Sequence, residues 1–181
     1  MSTVMPKKAS LKVKKIARKN TVSKVEPIPK GYHTITPSII VHDGAAAIEF
    51  YKKGFDAKEK GRSLGPGGKI WHAELQIGDS RVFLMDEFPE MGANSARRIG
   101  DSPGSIWLYV KDVDKLYHRA VGAGASSVME PRIEFWGDRR AGIEDPFGHT
   151  WYIASRKENV SSREMEKRRL AAVRETEHRP S

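Results

Sequence analysis

"ITPSIIVHDGAAAIEFYKKG", residues 35–54, and "GSIWLYVKDVDKLYHRAVGAG", residues 104–124, follow one plan. Each opens on alternating apolar residues, puts an aspartate (Asp43, Asp112) where a helix N-cap belongs, and continues with apolar positions at helical spacing. Val41 and Asp43 lie 69 residues before Val110 and Asp112. In the first helix Ala47, Ile48 and Tyr51 supply the buried face and Gly54 closes it. In the second, Leu116, Ala120 and Val121 face inward, and Gly122 or Gly124 stops the helix.

Working outward, each helix is followed by three strand-like runs separated by turn residues. These are "KEKGRSL", "KIWHAELQI" and "SRVFLMD" in the first half, and "SSVMEPRIEF", "RRAGIE" and "HTWYIAS" in the second. Both halves therefore predict βαβββ modules, about residues 32–88 and 104–157, in an α+β fold. Period-2 alternation separates the faces. Ile35, Pro37, Ile39 and Val41 oppose Thr36, Ser38 and Ile40; Trp71, Ala73, Leu75 and Ile77 oppose His72, Glu74 and Gln76. Ile106, Leu108 and Val110 oppose Ser105, Trp107 and Tyr109, and Trp151 and Ile153 oppose Thr150 and Tyr152. One face of each sheet is thus apolar and helix-covered, and the other is semi-polar and aromatic. A hydrated surface rarely carries Trp107, Tyr109 and Tyr152 together, because large exposed rings cost hydration free energy. Either the mixed sheets curl into a cup whose inner face binds something, or that face is a sheet-to-sheet dimer contact.

Of the 181 residues, 1–30 hold nine Lys/Arg against Glu26 alone, a net of +8, while the other 151 carry 23 bases and 22 acids, a net of +1. The positive charge belongs to the tail, and the body is nearly neutral. Residues 1–31 read as a basic, disordered, solubilising extension. A weak contact with nucleic acid or other polyanions through residues 1–30 is the second reading and an organelle transit peptide the third. The tail has no aromatics to stack on bases and no recognition helix. There are no cysteines, which removes disulfides and thiolate chemistry and fits a reducing compartment. No apolar run approaches the roughly 18 residues of a membrane helix, so a soluble, cytoplasmic protein without membrane contact is expected.

The strip "WGDRRAGIEDPFGHTW", residues 136–151, concentrates chemistry-capable side chains. Asp145–Gly148 reads as a turn in which Pro sets φ, Gly allows positive φ and the carboxylate accepts a local N–H. Trp136, Asp138 and Arg139 stand at a strand entrance near the rim of the cup. Arg139 and Asp138 form a surface pair or a ligand clamp. Two motif matches fail on context: Ser63 in "GRSLG" lies in a strand and not at a strand-to-helix elbow, and "GPGGKI" is too short for a phosphate loop.

The paired βαβββ plan resembles the vicinal oxygen chelate superfamily of glyoxalase I, extradiol dioxygenases, fosfomycin resistance enzymes and bleomycin-binding proteins. "ITPSIIVHDGAAAIEFYKKGF", "KIWHAELQIGDSRVFLMDE", "YVKDVD" and "FWGDRRAGIEDPFGHTWYIAS" are similar, more narrowly, to the glyoxalase/bleomycin-resistance-like subgroup with the PhnB-like proteins. The resemblance spans about Tyr32 to Lys157. "SSREMEKRRL" resembles the C-terminal helix such proteins carry, within a charged segment 158–181 where Ser161 and Glu164 suit a capping box. Metal-using members place His, Gln or Glu on the first and last strands of the modules. The matching positions here are Thr36, Ser105 and Tyr152, with Val82, Phe83, Leu84 or Met85 as the fourth. None is a usual divalent-metal ligand. The resemblance thus implies a metal-free, cofactor-free protein, expected to be a homodimer, that binds a small aromatic or cationic molecule. Trp107, Tyr109, Trp136 and Tyr152 would stack on it, with Thr36, Ser38, His72, Glu74 and Arg139 also at the site. The alternatives are a lyase- or dioxygenase-type enzyme with a divalent metal on His72, Glu74 and an unassigned third ligand, for which His72 and Glu74 are also the catalytic candidates, and a tail-driven polyanion-binding protein.

Overall fold

Two βαβββ units follow one another in the computed structural model, which describes residues 25–177. The expectations for residues 1–24 and 178–181 lie outside the described residues. The first unit is β1 (Ser38–Val41), α1 (Gly44–Phe55), β2 (Lys58–Leu64), β3 (Ile70–Ile77) and β4 (Ser80–Asp86). A linker holding the short α2 (Ala96–Ile99) leads to β5 (Ser105–Tyr109), α3 (Val113–Gly122), β6 (Ser126–Ile133), β7 (Asp138–Glu144) and β8 (Thr150–Arg156). Then comes α4 (Ser162–Glu177). Each unit makes a four-stranded mixed sheet, ordered β1-β4-β3-β2 and β5-β8-β7-β6. In each the first strand runs parallel to the last and the remaining pairs are antiparallel.

The aspartates start the helices as their position demands: Asp43 accepts from the Ala46 N–H at 2.9 Å and Asp112 from the Lys115 N–H at 3.0 Å. Ala47, Ile48 and Tyr51 are fully buried. Gly54 does not close α1. The helix continues to Phe55 and turns at Asp56, which takes the left-handed conformation at φ 58°. Gly54 is spent on close approach instead, since a Cβ there would meet the Ala120 Cα of α3 at 3.5 Å. In α3 the buried stripe is Val113, Leu116, Tyr117 and Ala120, and Val121 falls off it onto the exposed side.

A single apolar core joins both units. Trp151 of β8, fully buried, packs against Tyr51 and Phe55 of α1 at ring separations of 5.5 and 4.8 Å. The turn between β7 and β8 reaches into the other module as well. Phe147 packs on Phe50 and Tyr51, and His149 Nε2 lies 3.1 Å from the Ile40 carbonyl on the free edge of β1. Asp145 does more than cap its own turn. One carboxylate oxygen accepts from the Phe147 and His149 N–H groups, both at 2.9 Å. The other accepts from Tyr51 Oη at 2.5 Å and Trp151 Nε1 at 2.8 Å. Burial, then the charge of Asp145 and the bond to it, push the Tyr51 phenol well above its ordinary range, so Tyr51 stays the donor.

The linker is pinned at Glu87. Its carboxylate takes Ser95 Oγ at 2.6 Å and the Arg98 guanidinium at 2.6 and 3.1 Å. Half of the expected capping box forms in α4: the Glu164 N–H donates to Ser161 Oγ at 3.3 Å, while the Glu164 carboxylate turns outward to Arg168. Among the described residues no helix is long and apolar enough to cross a membrane.

Candidate functional site

Strand alternation puts the chemistry-bearing side chains on the faces away from α1 and α3, in two clusters. The first lies on the first sheet. His72 and Glu74 project from β3 on one face, with Nε2 and Oε1 3.8 Å apart, and the His72 ring meets Phe83 of β4 at 4.8 Å. Arg81 stands over Tyr32 at 5.5 Å and 3.9 Å from Glu74. The hydrogen bond from Tyr32 to the Glu74 carboxylate raises the Tyr32 phenol above its usual range. Arg81 Nη1 is buried without a hydrogen-bond partner. Trp71 does not join the apolar face. The register slips between Ser63 and Leu64 of β2, so Ile70 takes the buried place and Trp71 turns out, 42% exposed, against Phe88.

On the second sheet, Trp107 of β5 pairs directly with Tyr152 of β8, ring centroids 5.0 Å apart. The structure puts Arg140 where the sequence reading had Arg139. On β7 the parity of the strand sends Arg139 to the helix side, where its guanidinium grips Asp114 of α3 at 2.5 and 2.7 Å. It pairs with neither Asp138 nor the aromatic face. Arg140 points the other way, into a cage of three rings, 5.4 Å from Trp107, 5.2 Å from Trp136 and 4.9 Å from Tyr152. Glu134, 8% exposed, holds Arg140 Nε at 3.0 Å and is shared with Arg132. Gly142, beside Tyr152, leaves room for that ring: a Cβ there would meet Tyr152 Cε1 at 3.1 Å.

Asp138 is fully buried at the edge of this cluster. Burial pushes its carboxyl up, but hydrogen bonds from Arg156, Tyr109 and Trp136 outweigh it and hold the group below the usual carboxylate range. The Tyr109 hydroxyl is committed to Asp138 at 3.0 Å while its ring stays exposed. Of the two residues expected on β1, Ser38 is exposed at the start of the strand, and Thr36 lies in the extended segment before it. Ile35, expected in the buried stripe, is 82% exposed for the same reason.

The expected site residues therefore fall into two groups, and no hydrogen bond, ion pair or ring contact among the described residues links the His72/Glu74 cluster to the Trp107/Trp136/Tyr152 cluster. β1 and β5 both stand at sheet edges. Among the described residues no three His, Asp or Glu side chains converge as a metal would need. His72 and Glu74 lack a third donor, so the donor set does not fit a divalent ion. Arg140 escaped the sequence reading because "DRRAG" offers two adjacent arginines, and only the strand register decides which one faces the rings.

Residues 31–153 match the family model described as the glyoxalase/bleomycin resistance protein/dioxygenase superfamily. The chain belongs to this superfamily. Among its relatives, the uncharacterized Mycobacterium tuberculosis protein Rv0887c is 40% identical over 135 residues, covering 73% of this chain and 79% of the relative. The uncharacterized Arabidopsis thaliana protein At5g48480 is 31% identical over 127 residues, covering 66% and 76%. Its crystal structure superposes with a TM-score of 0.54, 26% identity and coverage of 67% of this chain and 98% of that one. TioX from Micromonospora sp. ML1 shares the fold at a TM-score of 0.55 and 24% identity, over 67% and 96% of the two chains. This glyoxalase/bleomycin resistance superfamily member consists of two tandem modules whose uncovered faces carry the His72/Glu74 and Trp107/Arg140 clusters.

Proposed function

We propose that this superfamily member binds a small planar aromatic molecule bearing a carboxylate or similar acceptor group, without a metal, on the Trp107/Trp136/Tyr152 face. The supporting observation is the place of Arg140, within 4.9–5.4 Å of three rings. A cationic ligand, the other class expected from aromatic walls, would have to displace a guanidinium that already fills the cage. A planar anion instead stacks on Trp107, which is 41% exposed, and meets the guanidinium edge. Arg132, Arg140 and Glu134 together carry a net charge of +1, which suits one acidic group. The expectation that the protein is a cytoplasmic homodimer rests on the superfamily resemblance alone. The finer kinship with PhnB-like proteins rests on the shared motifs alone.

Tryptophan quenching tests the reading with 2-naphthoate against a planar cation such as N-methylquinolinium. The carboxylate should quench the native protein and the cation should not. Arg140→Ala should reverse that order by opening the cage. Equal quenching by both probes in the native protein overturns the reading.

A further inference from the structure

The two modules share one strand order and differ at the turn between their last two strands. In the second, the β7–β8 turn carries Phe147, 4% exposed, which lies 5.5 Å from His42, 6.1 Å from Phe50 and 6.3 Å from Tyr51 by ring centroids. Under the 69-residue offset between Val41 and Val110, His42 corresponds to Lys111, Phe50 to Arg119 and Tyr51 to Ala120. The counterpart turn, between β3 and β4, is only Gly78–Asp79 and has no ring to insert. The space it leaves is a cleft of about 930 Å³, lined in part by Lys111, Arg119, Leu108, Val110, Phe55 and Ile77. Burial records the difference. Ile39 and Val41 are 4% and 0% exposed, whereas their counterparts Leu108 and Val110 are only partly buried.

We propose that this cleft is a second ligand site for a small amphipathic anion, without Arg140 in its wall and meeting the Arg140 face only along β5, at Trp107 and Tyr109. An apolar body covers Leu108, Val110 and Phe55, and a carboxylate head meets the Lys111 ammonium. The volume lies in the range of small-molecule pockets. Three fixed cations, Arg81, Lys111 and Arg119, stand around it against two acids, Asp56 and Asp79. Arg119 donates its Nε–H to the Gly54 carbonyl at 3.0 Å, and Arg81 is stacked on Tyr32 with its Nη1 buried 3.9 Å from the Glu74 carboxylate. Lys111 has no partner among the described residues and takes the head group. Charge also disfavours the chain's own N-terminal segment as the occupant, because residues 1–24 carry eight Lys/Arg and no acid.

Calorimetry on the full chain decides the matter, with dodecanoate below its micellar range and dodecyltrimethylammonium as the charge-reversed probe. Dodecanoate should bind one per chain, at least about tenfold more tightly than the cation, and Lys111→Glu should erase that preference. Leu108→Trp should block binding by filling the cleft. Ile35→Asp, at an exposed position on the cleft wall, should weaken it about tenfold in a chain whose core is untouched. Arg140→Ala should leave dodecanoate binding unchanged while altering the naphthoate response, so the two sites fail independently. Four results overturn the proposal: equal affinity for both probes, loss of dodecanoate binding in Arg140→Ala, binding only after removal of residues 1–24, or dissociation of a dimer by Lys111→Glu.

Discussion

Asp145 shows how a residue legible as a local turn former acquires a larger role. Asp-Pro-Phe-Gly is turn chemistry, and the turn forms, with the Gly148 N–H donating to the Asp145 carbonyl at 3.0 Å. The bonds from Tyr51 and Trp151 could not be read from the chain, because they join positions 94 and 6 residues away. Asp145 is 1% exposed, so removing its carboxylate strands two side-chain and two backbone donors in the core. Asp145→Ala is expected to cost more than about 3 kcal/mol, and Tyr51→Phe about 1–2 kcal/mol, in urea unfolding. If the two variants lose the same small amount, the carboxylate is not the centre of this junction. The same scale explains the exchange of Arg139 for Arg140: composition supplied both, and one step of strand parity assigned one to Asp114 and the other to the rings.

Elements were more legible than side chains. The helix caps, the parity of the strands and the order βαβββ twice over all follow from local pattern, since each depends on neighbours within a few residues. What was not legible depended on interruptions of that pattern, as in the bulge that turns Trp71 outward and the late start of β1 that exposes Ile35. Gly137 is another such point, set between β6 and β7 next to Trp136. Its φ is +92°, and a Cβ would meet the Glu158 carbonyl oxygen at 2.5 Å. Gly137 also accepts from the Lys157 and Glu158 N–H groups, anchoring the segment before α4. Gly137→Ala is therefore expected to lose about 2 kcal/mol or more in chemical denaturation and to shift Trp136 fluorescence. The linker gives a pH-dependent counterpart. Hydrogen bonds from Arg98 and then Ser95 lower the Glu87 carboxyl from 4.5 to about 2. Because the folded-state value is depressed, the stabilisation is complete above the unfolded value and is lost as pH falls through the folded one. Glu87→Gln should lie about 1–2 kcal/mol below the parent at neutral pH and converge with it toward pH 2, as followed by urea midpoints across that range. A constant gap down to pH 2 would show that Glu87 does not titrate as an ion-paired group.

For the whole molecule, charge and fold are separable. Every buried core residue from Ile39 onward lies in or beside the two modules, while residues 1–30 carry +8 of the formal +9. The body is close to neutral, so long-range attraction to a polyanion has to come from the tail, by release of the counterions its lysines displace. Deleting residues 1–30 removes no member of the core, leaves Tyr32 on Arg81 and Phe83, and reduces the net charge to +1. The truncated chain should keep its thermal midpoint and its naphthoate quenching while losing retention on heparin. The full chain's retention should fall steeply between 50 and 200 mM salt, the interval over which phosphate-type contacts weaken by orders of magnitude. If the truncated chain still binds heparin with the same salt slope, the basic groups responsible sit on the modules, with Arg132, Arg156 and Lys111 the first to substitute. If truncation lowers the midpoint, residues 1–30 contribute to the fold, and charge and fold are not separable in this chain.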